Sequence, residues 1–473
     1  MDRKIKKKIE KGKIRKAILF VICCVLWITV LSEVMKTKMM DGFSDVTRKI
    51  NGFYAEKENS LDFIFFGSSR MYSAVNPAVL WENYGMVAYD FCCNEQSYSI
   101  TYYYLKEALK RQKPKAVVVD ISFGVGLTET REPMRHLNLD YLEPSLNRLE
   151  AIENNNEKDE WWDYIFSIRK WHSDWYNLKE ENFKYAFWRG NNPYKGFSYV
   201  APEGDMDMDL PQYHYPYDMQ ENMEQYYIEP LPENLEWIDK MAELAKKNSV
   251  DLILVAVPSG SAPEGQGYVN GIFKHAVEKH GIFCKNYSLE MTGMHHLTAG
   301  LAEEFTKKLG ADLAEMYEID DKRGDPAFRQ WEETIQVYRA EMNAIDWKKQ
   351  AQWSGYAQIA HRGDYCFFAV QQPWMCEAES WESVKSTLEE LGMDVPENSG
   401  ESWIGSNLAH TAGVQEMEGN MGEMYYQVCS NGITIGKQEY PYAGGLQFLV
   451  YDKVLKRVID SFRLEGNDLE IRR

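Results

Sequence analysis

FIFFGSSRMYSAVNP, residues 63–77, decides how the chain reads. The run Leu61–Phe66 is short and apolar, then gives way to Gly67-Ser68-Ser69-Arg70. Small residues at the end of a strand let the backbone turn sharply into a helix. In open α/β sheets, ligands bind in the crevice beyond such strand ends. A serine hydroxyl placed there is a candidate nucleophile. The same residues also suit a plain strand-to-helix turn, with Ser68 or Ser69 as the helix N-cap.

Four further runs continue the pattern: Met86–Phe91, Ala116–Ile121, Leu252–Val257 and Ile282–Tyr287. All are short, apolar and partly β-branched, as strands buried on both faces should be. Helical stretches fall between them at Ser97–Arg111, Pro232–Lys247, Tyr268–His280 and Thr298–Met316. Pro232 suits a first helical position, where its missing N–H costs nothing. The alternation predicts an α/β domain over 61–318, a doubly wound parallel sheet with helices on both faces.

A segment at 123–230 interrupts the alternation and has no uninterrupted strand run. It carries Trp161, Trp162, Trp171, Trp175 and Trp188 with many tyrosines. Such rings can stack on sugars or rest at a membrane interface. The plainer expectation is a small core of the segment's own. The acidic, Met-containing run EGDMDMDLP (203–211) reads as loop.

At 473 residues the chain exceeds one hydrophobic core, so a second domain is expected. Residues 319–354 are charged, with apolar positions at helical spacing, and read as a connecting helix. From 355 to 473 the pattern becomes short strands, one helix and turns, which predicts a smaller, mainly β domain. Trp374, Trp381 and Trp403 are expected in its core, with sugar stacking as the alternative.

The chain opens MDRKIKKKIEKGKIRK and continues AILFVICCVLWITVLSEV. Ala17–Val34 spans about 27 Å as a helix, close to the hydrocarbon thickness of a bilayer. No small-x-small cleavage site follows it. The reading is a basic cytoplasmic tail (1–16), an uncleaved signal anchor (17–35) and a polar helical stalk (36–60). The positive-inside rule then puts everything beyond about Lys36 outside the cell membrane.

Residues 1–16 hold nine basic and two acidic residues, a net +7, while the whole chain is −19. The remainder is therefore −26, which argues against nucleic acid as a partner. Eight cysteines show no zinc-like spacing. Cys23 and Cys24 lie in the apolar run. Cys92, Cys93, Cys284, Cys366, Cys376 and Cys429 are expected as free thiols. Nucleotide and HExxH motifs are absent, so no cofactor or metal is expected.

A nucleophilic serine needs a base within hydrogen-bond reach. His295 and His296 stand in MTGMHHLTAGLAEEFTKKLG, just before the last helix of the α/β domain. A loop after the last strand opens at the same sheet end as the turn after the first. Ser69 and His296 can therefore meet. The plain alternatives are a surface role for His295 and a packing role for His296.

FGSSR (66–70), the segment 75–120 and HLTAGLAEEFTKKLG (296–310) resemble the SGNH/GDSL hydrolase superfamily, in membrane-anchored forms from Gram-positive bacteria. The resemblance implies a flavodoxin-like α/β/α sandwich, with esterases, lipases and glycan acetyl esterases or O-acetyltransferases among its activities. It places the nucleophile on Ser69 and the base on His296. Gly293 stands where the family has aspartate, and Glu290 is the nearest acidic residue upstream. The oxyanion donors fall on the Ser69 backbone and on Asn94, while DISFG (120–124) offers Ser122 but no asparagine. LEELGMDVPENSGESWIGSN (388–407) and the segment 445–468 resemble the interleukin-like EMT inducer domain, which implies a β module with a capacity for carbohydrate. Two functions follow as expectations. One is a membrane-anchored serine esterase or O-acyltransferase acting on a cell-envelope or exported glycan. The other is a catalytically degenerate relative that binds glycan or assists assembly.

Overall fold

The computed structural model describes residues 3–36, 38, 45–126, 129–198, 226–258, 263–289, 296–409 and 415–473. Glu290, Gly293, His295 and the run 203–211 lie outside the described residues. The chain divides into two compact units, Met1–Thr334 and Ile335–Arg473.

The first unit begins with helix α1 (Arg3–Met35), whose segment Gly12–Met35 is long and apolar enough to cross a membrane. Helix α2 (Val46–Phe53) follows. This corrects the reading of 36–60 as a stalk. Val46, Ile50 and Phe53 recur at helical spacing and are fully buried, and Phe53 stacks on Phe91 at 4.0 Å between centroids. Polar neighbours masked that stripe in the sequence. Even they go inside: Thr47 hydrogen-bonds the Tyr141 hydroxyl at 2.9 Å.

Among the described residues five parallel strands make the sheet: β1 (Phe63–Phe66), β2 (Ala88–Asp90), β3 (Ala116–Asp120), β4 (Asp251–Ala256) and β5 (Phe283–Asn286). Their order is β2-β1-β3-β4-β5, with Phe63 paired to both Ala88 and Ala116. Each falls inside or within one residue of a run expected as strand. The first three are buried at every position, which is why they read as unbroken apolar runs.

Between β1 and β2 lie α3 (Ser69–Ala74) and α4 (Pro77–Tyr84), and α5 (Tyr98–Ala108) follows β2. After β3 the described part of the 123–230 segment is helical: α6 (Glu132–Leu139), α7 (Leu146–Asn155), α8 (Trp161–Ile165), α9 (Ile168–Trp171), a 3₁₀ turn (His172–Asn177) and α10 (Glu180–Lys184). Its tryptophans do not form a closed core, since Trp162 and Trp175 are exposed. Helices α11 (Pro232–Lys247), α12 (Pro263–His280) and α13 (Ala299–Met316) complete the alternation. The helices gather in two groups, α3 and α4 with α13, and α5 with α7, α11 and α12. At the unit's end Trp331 packs on Trp81 of α4 at 5.8 Å.

The boundary falls inside α14 (Arg329–Lys349), the helix read as a connector. The second unit therefore starts well before residue 355. Its core includes Ala344, Trp347 and Trp353, and Trp353 opens α15 (Trp353–Ile359). Among the described residues nine strands build two antiparallel sheets. β6 (Tyr365–Gln371) is flanked in its sheet by β7 (Trp403–Ser406) and β12 (Leu446–Asp452), with β13 (Arg457–Glu465) and β14 (Glu470–Arg472) beyond. The other sheet holds β8 (Glu416–Met421), β9 (Met424–Cys429), β10 (Gly432–Ile435) and β11 (Gln438–Pro441).

Alternation along β6 supplies two cores. Tyr365, Phe367 and Ala369 face α15 and α16 (Ala378–Glu390), while Cys366, Phe368 and Val370 pack with β9 and β10. Trp381 and Trp403 are buried in the helix-side core and Trp374 lies against it, so packing rather than sugar stacking accounts for them. All eight cysteines are unpaired.

Candidate active site

The site starts from one glycine. Gly67 follows β1 with φ +146, and a Cβ there would come within 3.0 Å of the Asp120 Cβ and 3.1 Å of the Met71 Cβ. Only glycine lets β1 turn this tightly against β3. Ser68 then takes the N-cap position of α3, its hydroxyl accepting from the Arg70 N–H at 3.3 Å. The capping role thus falls on Ser68 and not on Ser69. Ser69, first in the helix, is left with its hydroxyl clear of the cap.

That hydroxyl meets His296: Nε2 lies 2.8 Å from Ser69 Oγ. The imidazole is buried and Ser69 partly exposed. His296 stands two residues before Thr298, the N-cap of α13. The same helix is pinned to α3 by Thr306, whose hydroxyl donates to Ala74 O at 3.1 Å and accepts from Asn76 N at 2.9 Å. One helix contact thus fixes the distance between two loops far apart in sequence.

Asn94 lies in the turn after β2. The Tyr72 hydroxyl donates to its Oδ1 at 3.1 Å, which leaves the Nδ2 end as donor. Tyr72 and Ser69 are three apart on α3 and so share a face. Asn138 Nδ2 donates to Asn94 O at 2.9 Å, which ties the turn to α6. Asn94 makes no hydrogen bond to Ser69 among the described contacts.

Ser122 is committed elsewhere. Its hydroxyl donates to Asp120 Oδ2 at 2.9 Å, and Asp120 Oδ1 accepts from Ser122 N at 3.0 Å and Val257 N at 3.2 Å. Burial raises the Asp120 carboxyl, and these hydrogen bonds oppose the shift. Arg70 Nη1 donates to Ser122 O at 2.8 Å, which ties the start of α3 to the end of β3.

Sequence reading missed two buried residues behind α3. Lys49 of α2 sits 3.1 Å from the centre of the Tyr72 ring, and burial lowers its ammonium to about 7. Asp90 ends β2 fully buried, with neither carboxylate oxygen hydrogen-bonded, and burial raises it well above the carboxylate range. The spacing of Val46, Ile50 and Phe53 was the signal that would have brought Lys49 inward.

One group among the described residues has the donor set for a metal ion: Asp239, His275 and His280. Both histidines approach Asp239 Oδ1 through Nε2, at 2.8 and 2.6 Å. Lys279 already holds the other oxygen at 2.7 Å. Burial pushes this carboxyl up, but the hydrogen bonds from Lys279, His280 and His275 outweigh it and hold it at about 2. His280 and Lys279 border a cleft of about 580 Å³ beside Asp251 and Phe283, where β4 and β5 begin. That is the opposite sheet end from Ser69, and its charges are already matched. No family model matches the chain, and no curated protein matches it.

Proposed function

We propose that this protein is a membrane-anchored, extracytoplasmic serine esterase or O-acyltransferase of the SGNH type. Its substrate would be an acyl ester, most simply acetyl, on a cell-envelope or exported glycan. The observation that carries the reading is the 2.8 Å contact between Ser69 Oγ and His296 Nε2 at the carboxyl end of a parallel sheet. The strand order β2-β1-β3-β4-β5 supports a flavodoxin-like scaffold, whose ligand crevice opens at that end.

In this reading Ser69 Oγ attacks the ester carbonyl while His296 Nε2 takes its proton. The Ser69–acyl bond forms and the ester C–O bond breaks as His296 returns the proton to the leaving alcohol. Water, or a second sugar hydroxyl, then takes the acyl group by the same path in reverse. As the first helical residue, Ser69 has a backbone N–H that no intrahelical carbonyl accepts. That N–H and Asn94 Nδ2 are the donors for the tetrahedral oxyanion.

A second reading keeps the scaffold without turnover, as a glycan-binding or assembly factor. Gly293, standing where the related hydrolases have aspartate, favours it. A fluorophosphonate probe mapped by mass spectrometry separates the two. The esterase reading expects a single adduct on Ser69, lost in Ser69→Ala and strongly reduced in His296→Ala. An unlabelled, folded protein leaves the non-catalytic reading.

A further inference from the structure

The last turn of α1 packs on the folded unit. Ser32, Met35 and Lys36 are already buried against the folded unit. The Ile168 N–H donates to Ser32 Oγ at 3.3 Å, and Asn182 Nδ2 donates to Val34 O at 3.0 Å. Lys36 Nζ reaches Asp140 O at 3.1 Å. A span of about 20 residues is needed to cross the hydrocarbon layer. Gly12–Met35 offers 24, so Ser32 and Val34 stand at its outer boundary. The elements that touch them, α9 and α10, must stand at the same depth.

Those elements belong to the segment 161–188, where eleven of 28 residues are aromatic against 14% for the chain. Five of these side chains are left in solvent. Trp162, Trp175, Tyr176, Phe183 and Phe187 are each between 53% and 68% exposed. Large exposed rings gathered in one segment mark an interaction surface. The segment's charges also fit a membrane. Arg169, Lys170, Lys179 and Lys184 balance Asp163, Asp174, Glu180 and Glu181, so it is neutral within a chain of net −19 and is not repelled by anionic headgroups.

We propose that residues 161–188 form a seat in the outer headgroup layer of the same bilayer that α1 crosses, with Trp and Tyr as its interfacial belt. The unit is then held by two contacts rather than one tether, and it cannot swing away on a stalk. Asn94 is part of this seated body, since Asn138 of α6 holds its carbonyl and His136 of α6 stacks on Tyr164 of α8 at 3.9 Å. The proposal rests on α1 spanning the membrane.

The test uses the full chain in nanodiscs containing a trace phospholipid with a diazirine near its headgroup, with adducts mapped by mass spectrometry after illumination. Adducts are expected on peptides from both 12–35 and 161–188. In Trp175→Ser/Phe183→Ser, checked for native circular dichroism, those on 161–188 should fall several-fold and those on 12–35 persist. Adducts on 12–35 alone overturn the seat and leave the anchor standing. Adducts on neither overturn the anchor itself. Adducts on 12–35 alone from a chain that is dimeric in the nanodisc by native mass spectrometry overturn the seat in favour of a self-association face.

Discussion

His296 Nε2 and Ser69 Oγ lie 2.8 Å apart although 227 positions separate them in the chain. The contact joins the loop after the last strand of the parallel sheet to the turn after β1. Neither loop fixes it alone. Thr306, one hydroxyl shared between Ala74 O and Asn76 N, sets α13 against α3 and brings the histidine into place.

If the pair is catalytic, Ser69→Ala and His296→Ala should each abolish hydrolysis of a small acetyl ester while circular dichroism stays native. The double variant should lose little more than either single one, because the two act as a unit. Additive losses in a kinetic cycle would show that they do not.

Asn94→Ala should lower kcat about a hundredfold with KM nearly unchanged, as expected for a donor that serves the oxyanion. Tyr72→Phe should do less, since it removes only the hydroxyl that orients Asn94. Steady-state kinetics on both variants checks the order of the two effects.

Thr306→Val keeps the shape of the side chain but leaves Ala74 O and Asn76 N without their buried partner. Each such loss costs about 1–3 kcal/mol. Thermal unfolding should shift down accordingly, and turnover at a temperature where the variant is fully folded should fall as well. A lower melting point with unchanged turnover would mean that α13 does not position His296.

The second unit should fold as a fragment starting at 335 and fail when started at 355. The shorter fragment lacks Trp347 and Trp353, both buried in its core. Each is worth about 3–5 kcal/mol by truncation, a large share of a domain's whole stability. Arg473 confirms that the upstream residues belong here, donating to Trp347 O and Asp460 Oδ2 at 2.8 and 2.9 Å. Urea melts of the two fragments give the comparison.

Burial pushes the Cys93 thiol up to about 12, with the Lys49 charge opposing. A folded-state value above the unfolded one means that the native state keeps its proton longer. The associated stability is therefore complete below about pH 8.5 and is lost progressively up to about 12. At pH 8, iodoacetamide should leave Cys93 unmodified in the native protein and label it in denaturant, as read by peptide mass spectrometry.

Much of the first unit was readable in the chain because its signals are local. A parallel strand buried on both faces shows as an apolar run, and all five strands were found that way. Pro232 marked the start of α11 to the residue. The glycine-serine turn after β1 and the two-histidine block before α13 were equally visible. So was the apolar run Ala17–Val34, which lies inside the span Gly12–Met35 that is long enough to cross a membrane.

What the sequence could not supply depends on contacts between distant residues. Local pattern offers Ser68 and Ser69 equally as caps, and the choice is made by the fit of Gly67 against Asp120 and by the arrival of His296. Residues 46–53 look polar enough for a stalk. They become core because Phe53 finds Phe91 and Thr47 finds Tyr141, partners far along the chain. The tryptophans of 161–188 and those of the β unit are the same residue type in the sequence. Tertiary packing alone buries Trp381 and Trp403 and leaves Trp162 and Trp175 outside, because burial belongs to the surface a side chain meets and not to the side chain.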